Sequence, residues 1–254
     1  MRATSMPRMS TKKPILIIQL RPEDVTSDSE YQCILKYGGL QESDTKRLRI
    51  ETHGIPDDLN PEDYSAIIVG GSPFDITTPT DQKSAIQNKI EAGFMRLLEQ
   101  VVTQDLPFLG ACSGNGLLGT YLGAPMSRKY GEPIYCTNVA ITEDGKQDKL
   151  LAGFPDEIDV LLGHKEAVDE TPEGSVLLVR GHACPVQMFR VDENVYATQF
   201  HPEGDADEFK LRIDVYSNHG YFEPHEAEEL KKSVSRTPTP YAQEILKRFV
   251  GFYY

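Results

Sequence analysis

Cysteines are few and badly spaced for any cross-linked or metal-stapled scaffold. Cys33, Cys112, Cys136 and Cys184 are widely scattered, with no CxxC pair and no metal-ligand spacing. That pattern argues against zinc ribbons and disulfide frameworks and fits a reducing cytoplasm, with no metal or cofactor implied. Long apolar runs are missing as well. No stretch approaches the length of a membrane span, so a soluble protein is expected. Residues 1–13 are basic and polar but lack the apolar centre of a signal peptide, and they read as a disordered leader. Positive charge is scarce: 26 Lys and Arg against 39 Asp and Glu leave a formal charge of -13. An acidic surface repels phosphate, which argues against nucleic acid or an anionic membrane as a partner.

The 254 residues suffice for one large α/β domain or two small ones. No internal repeat and no clear linker divides them, so one domain over 14–254 is the simpler reading. From Pro14 the pattern alternates. A buried strand is expected at 15–20, a helix at 28–39 ending at Gly38 and Gly39, a strand at 47–52, and a strong strand at 66–69. Apolar positions at helical spacing (Ile86, Ile90, Phe94, Leu97, Leu98, Val101) predict one long amphipathic helix over 82–103. Such alternation predicts a parallel sheet with helices on both faces. Beyond Gly123 the texture turns to short β-rich pieces at 133–141, 159–162, 175–179, 186–191 and 195–200, read as antiparallel strands added to one sheet edge. Helices are expected at 205–217, 224–234 and 239–250, the last entered through Pro238 and Pro240.

Within that frame, three motifs fall at predicted strand ends. The run Gly110, Ala111, Cys112, Ser113, Gly114 joins the strand-like 106–109 to the helix-like Leu117, Leu118, Tyr121 and Leu122. This is a nucleophile elbow with cysteine as the nucleophile: small neighbours let a strand turn sharply into a helix and lift one side chain above the sheet. A thiol at a helix N-terminus is expected to favour thiolate, helped by proton transfer to a histidine. The second motif, His201, Pro202, Glu203, closes the strand-like 195–200. It offers a base and a carboxylate to orient it, the proline restricting how the two side chains diverge. The third, Gly70, Gly71, Ser72, Pro73, follows the strand at 66–69. Glycines there let the backbone approach a ligand, so Gly70 or Gly71 is expected to join the Ser113 N–H as an oxyanion donor.

Each motif also has a bland explanation: a buried thiol, a strand-terminating turn, an ordinary βα loop. Their coincidence favours an enzyme. His164 follows another strand and would border the pocket, although an exposed loop histidine is the default expectation. His182 stands near Cys184 without further ligands, which disfavours a metal. His53, His219 and His225 read as surface residues, and Cys33, Cys136 and Cys184 as structural.

Taken together, Gly70-Gly71-Ser72-Pro73, the Cys112 elbow, Gly163-His164-Lys165-Glu166 and Thr198-Gln199-Phe200-His201-Pro202-Glu203 resemble the class I glutamine amidotransferases, in particular stand-alone proteins similar to the amidotransferase domain of GMP synthase. The resemblance runs in order and spacing over about 14–250. It implies a three-layer, flavodoxin-like α/β fold with a mostly parallel central sheet. It also implies a Cys112, His201, Glu203 triad, Gly71 and Ser113 as oxyanion donors, and Gly70, Gly163 and His164 beside the substrate. Glutamine would be hydrolysed through a γ-glutamyl thioester, and the ammonia would pass to a synthetase partner, since no Ser-Gly-Gly pyrophosphatase loop is present. One departure stands out. Gly116 replaces the glutamine that such proteins usually carry four residues after the cysteine, which removes an arm that holds the substrate's α-amino and carboxyl end. Gly163 likewise stands where a polar residue is common. A γ-glutamyl hydrolase or peptidase with the same triad, or a non-catalytic binding homologue, are the alternatives.

Overall fold

The structure, a computed structural model, describes residues 12–217 and 222–254. Most of the expected leader, and His219, lie outside the described residues. In chain order the elements are β1 (Ile15–Gln19), α1 (Asp24–Gly38), β2 (Thr45–Arg49), β3 (Ala66–Val69), α2 (Ala85–Thr103), β4 (Phe108–Ala111) and α3 (Ser113–Tyr121). There follow β5 (Met126–Ser127), β6 (Glu132–Ile141), α4 (Glu143–Gln147), β7 (Glu157–His164), β8 (Ala167–Val168), β9 (Ser175–Arg180), β10 (Met188–Val191) and β11 (Val195–Thr198). The chain closes with α5 (Ala206–Tyr216), α6 (Ala227–Val234) and α7 (Pro240–Tyr253).

Nine strands form one sheet in the order β2-β1-β3-β4-β11-β10-β9-β6-β7. Strands β2, β1, β3, β4 and β11 pair in parallel, and antiparallel pairing then carries the sheet outward to β7. Only β10 and β6 run against the rest, so the sheet is mostly parallel with an antiparallel extension at one edge, as expected. Alternation along the strands divides the core. Ile15, Ile17 and Ile68 pack with Ile34 of α1 and Leu246 and Phe249 of α7, whereas Leu16, Ile18 and Val69 pack with Phe94 and Leu98 of α2 and Leu118 of α3. Those two cores on opposite faces make the three layers. A smaller cluster joins Phe209 and Ile213 of α5 and Val234 of α6 to Ile134 and Leu161. Among the described residues no helix is long and apolar enough to cross a membrane.

Several boundaries differ from the sequence expectation. Helix α1 starts at Asp24 rather than at 28, because its first turns bury polar residues (Thr26, Ser27, Glu30) that carry no apolar periodicity. Strand β2 lies two residues earlier than expected, set by its register against β1 (Ile15↔Thr45). Helix α2 begins after Ser84, whose hydroxyl accepts the Gln87 N–H at 3.2 Å and caps it. Short β5, β8 and α4 carried no pattern long enough to detect.

Candidate active site

The site forms where open α/β sheets place ligands, beyond the carboxyl ends of the parallel strands. Arg21 follows β1, Gly70 follows β3, Cys112 follows β4, and Gln199 and His201 follow β11. Pairing of Ala111 with Thr198 puts the last two strands in register, and the Cys112 N–H donates to Thr198 O at 2.7 Å. Residues remote in sequence therefore emerge side by side.

Cys112 adopts φ 51°, ψ -94°. A non-glycine residue holds such a conformation at a cost of about 1–3 kcal/mol, a strain typical of functional turns. Gly110 makes the turn possible, since a Cβ there would lie 2.8 Å from the Gly114 carbonyl carbon. Ser113 opens α3, so its amide is one of the first-turn donors that a helix leaves without an intrahelical acceptor. The Gln199 side-chain amide approaches the Cys112 sulfur at 3.9 Å.

His201 is buried and shares a cleft with Cys112. Its Nδ1 lies 2.6 Å from Glu203 Oε1, its N–H donates to Leu161 O at 3.0 Å, and the Phe209 ring stands edge-on at 5.4 Å. Burial pushes the Glu203 carboxyl up, but His201 and Arg212 overcome this and hold it down at about 2. Burial, reinforced by Arg212, lowers His201 to about 4. Burial likewise raises the Cys112 thiol to about 11, against the pull of Arg21 and Arg212. Against the expectation of a resting thiolate, desolvation outweighs Arg21 and Arg212 at the sulfur and favours a neutral thiol beside a neutral imidazole near pH 7.

The glycine loop differs from expectation in its hydrogen bonding. The Gly70 N–H continues the sheet to Ile18 O at 3.0 Å, and the Gly71 N–H donates to Glu30 Oε2 at 3.3 Å. Neither amide is turned to the cleft in this structure. The absence of a side chain at 71 has another cause: a Cβ would lie 2.5 Å from Arg21 Nη2 and 2.8 Å from His201 Cε1.

Glu30 is the hub of a buried network that sequence reasoning missed. It accepts from Gln19 Nε2 at 3.0 Å and from Arg21 Nε at 2.7 Å, and Arg212 Nη2 lies 3.5 Å away. Arg212 also donates to Glu203 at 3.2 Å and through Nε to Glu208. Only the place of Arg21, directly after β1, signalled it.

His164 is buried rather than exposed, because it ends β7 instead of beginning a loop. Its ring nitrogens lie 3.0 Å from Glu166 O and 3.1 Å from Glu132 Oε2. Glu132, His164 and Cys184 bring ligand-type atoms within 4.8 Å of one another. Glu132 Oε2, however, also accepts from Gln187 Nε2 at 2.8 Å, and the group acts as a hydrogen-bonded brace. The Glu166 carboxylate accepts the Ile76 and Thr77 N–H groups and so ties down the loop after Pro73. Gly163 lines the cleft and packs close to Ile134, 2.6 Å from where a Cβ would stand. His53 and His225 are exposed, as expected, and His182 is exposed as well; Cys33 and Cys184 are buried and Cys136 half-buried.

The cleft has two recesses that meet at Cys112. One is lined by Phe74, Ile76, Met126, Glu166 and Gln199. A Cβ at Gly116 would lie 2.6 Å from Met126 Cε and 2.8 Å from Ile76 Cδ1, so apolar side chains occupy the space in front of that position.

The sequence profile of the family described as glutamine amidotransferase class-I matches residues 29–234. The chain is 30% identical over 190 residues to the GMP synthase [glutamine-hydrolyzing] of Bacillus velezensis, covering 69% of this chain and 33% of that protein. It thus spans about a third of that relative's length. It is 28% identical over 188 residues to a GMP synthase [glutamine-hydrolyzing] subunit of Sulfolobus acidocaldarius, covering 72% of this chain and 91% of that protein. Among solved structures, a glutamine amidotransferase from Thermotoga maritima superposes with a TM-score of 0.68 at 21% identity, covering 94% of this chain and 98% of the other. One from Methylobacillus flagellatus gives 0.69 at 17%, covering 96% of each chain. At those identities the structures bear on the fold.

Proposed function

The chain belongs to the class I glutamine amidotransferase family, and from that premise we propose that it is a glutaminase unit working through a Cys112 γ-glutamyl thioester and delivering ammonia to a synthetase partner. The observation that carries this reading is the strained elbow of Cys112, which opens onto the same cleft as the buried His201–Glu203 pair. Substrate binding displaces water and aligns the γ-carbonyl. The thiol proton passes to His201 as sulfur attacks, and Glu203 stabilises the imidazolium. His201 returns the proton to the departing nitrogen, ammonia leaves, and water then hydrolyses the thioester. The Ser113 amide meets the oxyanion; the Gly71 amide joins it only on leaving Glu30. The similarity to a glutamine-hydrolysing GMP synthase subunit of nearly the same span supports a partner that consumes the ammonia.

A second reading, a γ-glutamyl hydrolase or peptidase, is favoured by one observation: Met126 and Ile76 stand where an amide arm would reach the donor's α-end. Ammonia release from glutamine, measured with and without candidate synthetases, tests the proposal. Activity lost in Cys112→Ala supports it. A folded protein whose Cys112 forms no adduct with a glutamine-like electrophile in either setting leaves only a binding role.

A further inference from the structure

The second recess of the cleft opens to solvent and is lined by Arg21, His201, Arg212 and Tyr216. Of the two recesses it alone is lined by His201. A departing amine takes its proton from the imidazole, so the leaving group exits on this side, while the glutamyl portion occupies the other.

The wall of this recess is unusual for a site that releases only ammonia. Both arginine side chains are 5% exposed. Arg21 spends Nε on Glu30 and Nη1 on Tyr216 Oη at 3.3 Å; Arg212 spends Nε on Glu208 and Nη2 on Glu203. Among the described residues Arg21 Nη2 and Arg212 Nη1 have no hydrogen-bond acceptor, and neither is among the polar atoms sealed from solvent. One nitrogen of each guanidinium thus faces solvent without a protein acceptor, and a pair of such charged donors suits the two oxygens of a carboxylate. Three carboxyl groups, those of Glu30, Glu203 and Glu208, stand behind the two cations, so recognition rests on these open donors and not on net charge. Ammonia has no acceptor oxygen to offer them.

We propose that the site also takes a leaving group that carries a carboxylate: beside glutamine, a γ-glutamyl conjugate of an amino acid is a donor, its carboxylate held by Arg21 Nη2 and Arg212 Nη1. The inference rests on the thioester chemistry proposed above and adds a second class of donor, the one that the γ-glutamyl hydrolase or peptidase reading requires. Sulfur bonds to the γ-carbon, the C–N bond breaks, and the electron pair stays on nitrogen, which receives the proton from His201. Free amino acid leaves, and water converts the thioester to glutamate and thiol.

The test compares three donors on the full chain: γ-glutamylglycine, its C-terminal amide, and glutamine, with glutamate release as the readout. The expected result is a kcat/KM for γ-glutamylglycine about tenfold or more above that of its amide, falling to within about twofold in Arg21→Met, since only the carboxylate uses the guanidinium. Equal turnover of the two by the native protein overturns the inference, and needs no variant. An unchanged ratio in a folded Arg21→Met also overturns it. Thioester formation from glutamine with none from γ-glutamylglycine defeats this inference alone, whereas no Cys112 adduct from any donor defeats the underlying chemistry too.

Discussion

The half-buried Cys112 and the buried His201 are held neutral for the same reason: desolvation disfavours the charged form of each, and for the thiolate it outweighs Arg21 and Arg212. With the thiol pushed up to about 11, alkylation of Cys112 should accelerate about tenfold per pH unit from pH 7 to beyond pH 10. Peptide mapping of iodoacetamide labelling against pH measures this. A plateau already reached near pH 8 would show a resting thiolate–imidazolium pair instead. Gly71 is the other sensitive position at this scale. Alanine there sets a methyl group 2.5 Å from Arg21 Nη2 and 2.8 Å from His201 Cε1, and both are buried ends with little freedom to retreat. Gly71→Ala should therefore lower kcat by about 10²-fold by displacing His201 while the protein still folds; steady-state kinetics beside a circular dichroism melt separate the two effects.

The elbow is an element-scale device, and two glycines in it should respond in opposite ways. A Cβ on Gly110 meets the backbone of Gly114 at 2.8 Å, and backbone locked in the first turn of α3 cannot yield. Gly110→Ala should cost about 2 kcal/mol or more in denaturant unfolding and abolish thiol-dependent turnover. At Gly116 the obstacles are the flexible ends of Met126 and Ile76, so Gly116→Ala should fold with less than about 1 kcal/mol lost and chiefly change KM. Equal losses in the two variants would contradict this account of the turn. Strands β1, β3 and β4 and helix α2 were legible because their apolar residues repeat over whole elements. So were the turn at Cys112 and the placing of His201 beside Glu203, because small residues and strand ends mark them in the chain. The Arg21–Glu30–Arg212 network was illegible: its members sit on the loop after β1 and on two separate helices, and polar side chains buried in α1 and α5 mimic a solvated helix face.

At the scale of the whole molecule, the same buried charges tie the site to global stability. Relative to their ordinary values, Glu203 is lowered to about 2 and His201 to about 4, while burial raises Glu208 to about 7 against the pull of Arg212 and Arg21. The unfolded chain binds the extra proton at Glu203 and His201, so their contributions to stability grow as pH rises, between about 2 and 4.5 for the first and about 4 and 6.5 for the second. Glu208 has the opposite sign. Its folded state binds the proton between about 4.5 and 7, so its contribution is present at low pH and is lost as pH rises through 7. Glu208 Oε2 is buried without a hydrogen-bond partner, as a carboxyl favouring its protonated form would be. Replacing this group by a neutral isostere removes the falling arm and leaves the rising one. Glu208→Gln should consequently gain on the native protein as pH goes from 5 to 8, by on the order of 3 kcal/mol at most. Urea midpoints at the two pH values measure that difference directly. If the gap between variant and native protein does not change with pH, Glu208 titrates as an ordinary carboxylate, and the buried network is charged throughout.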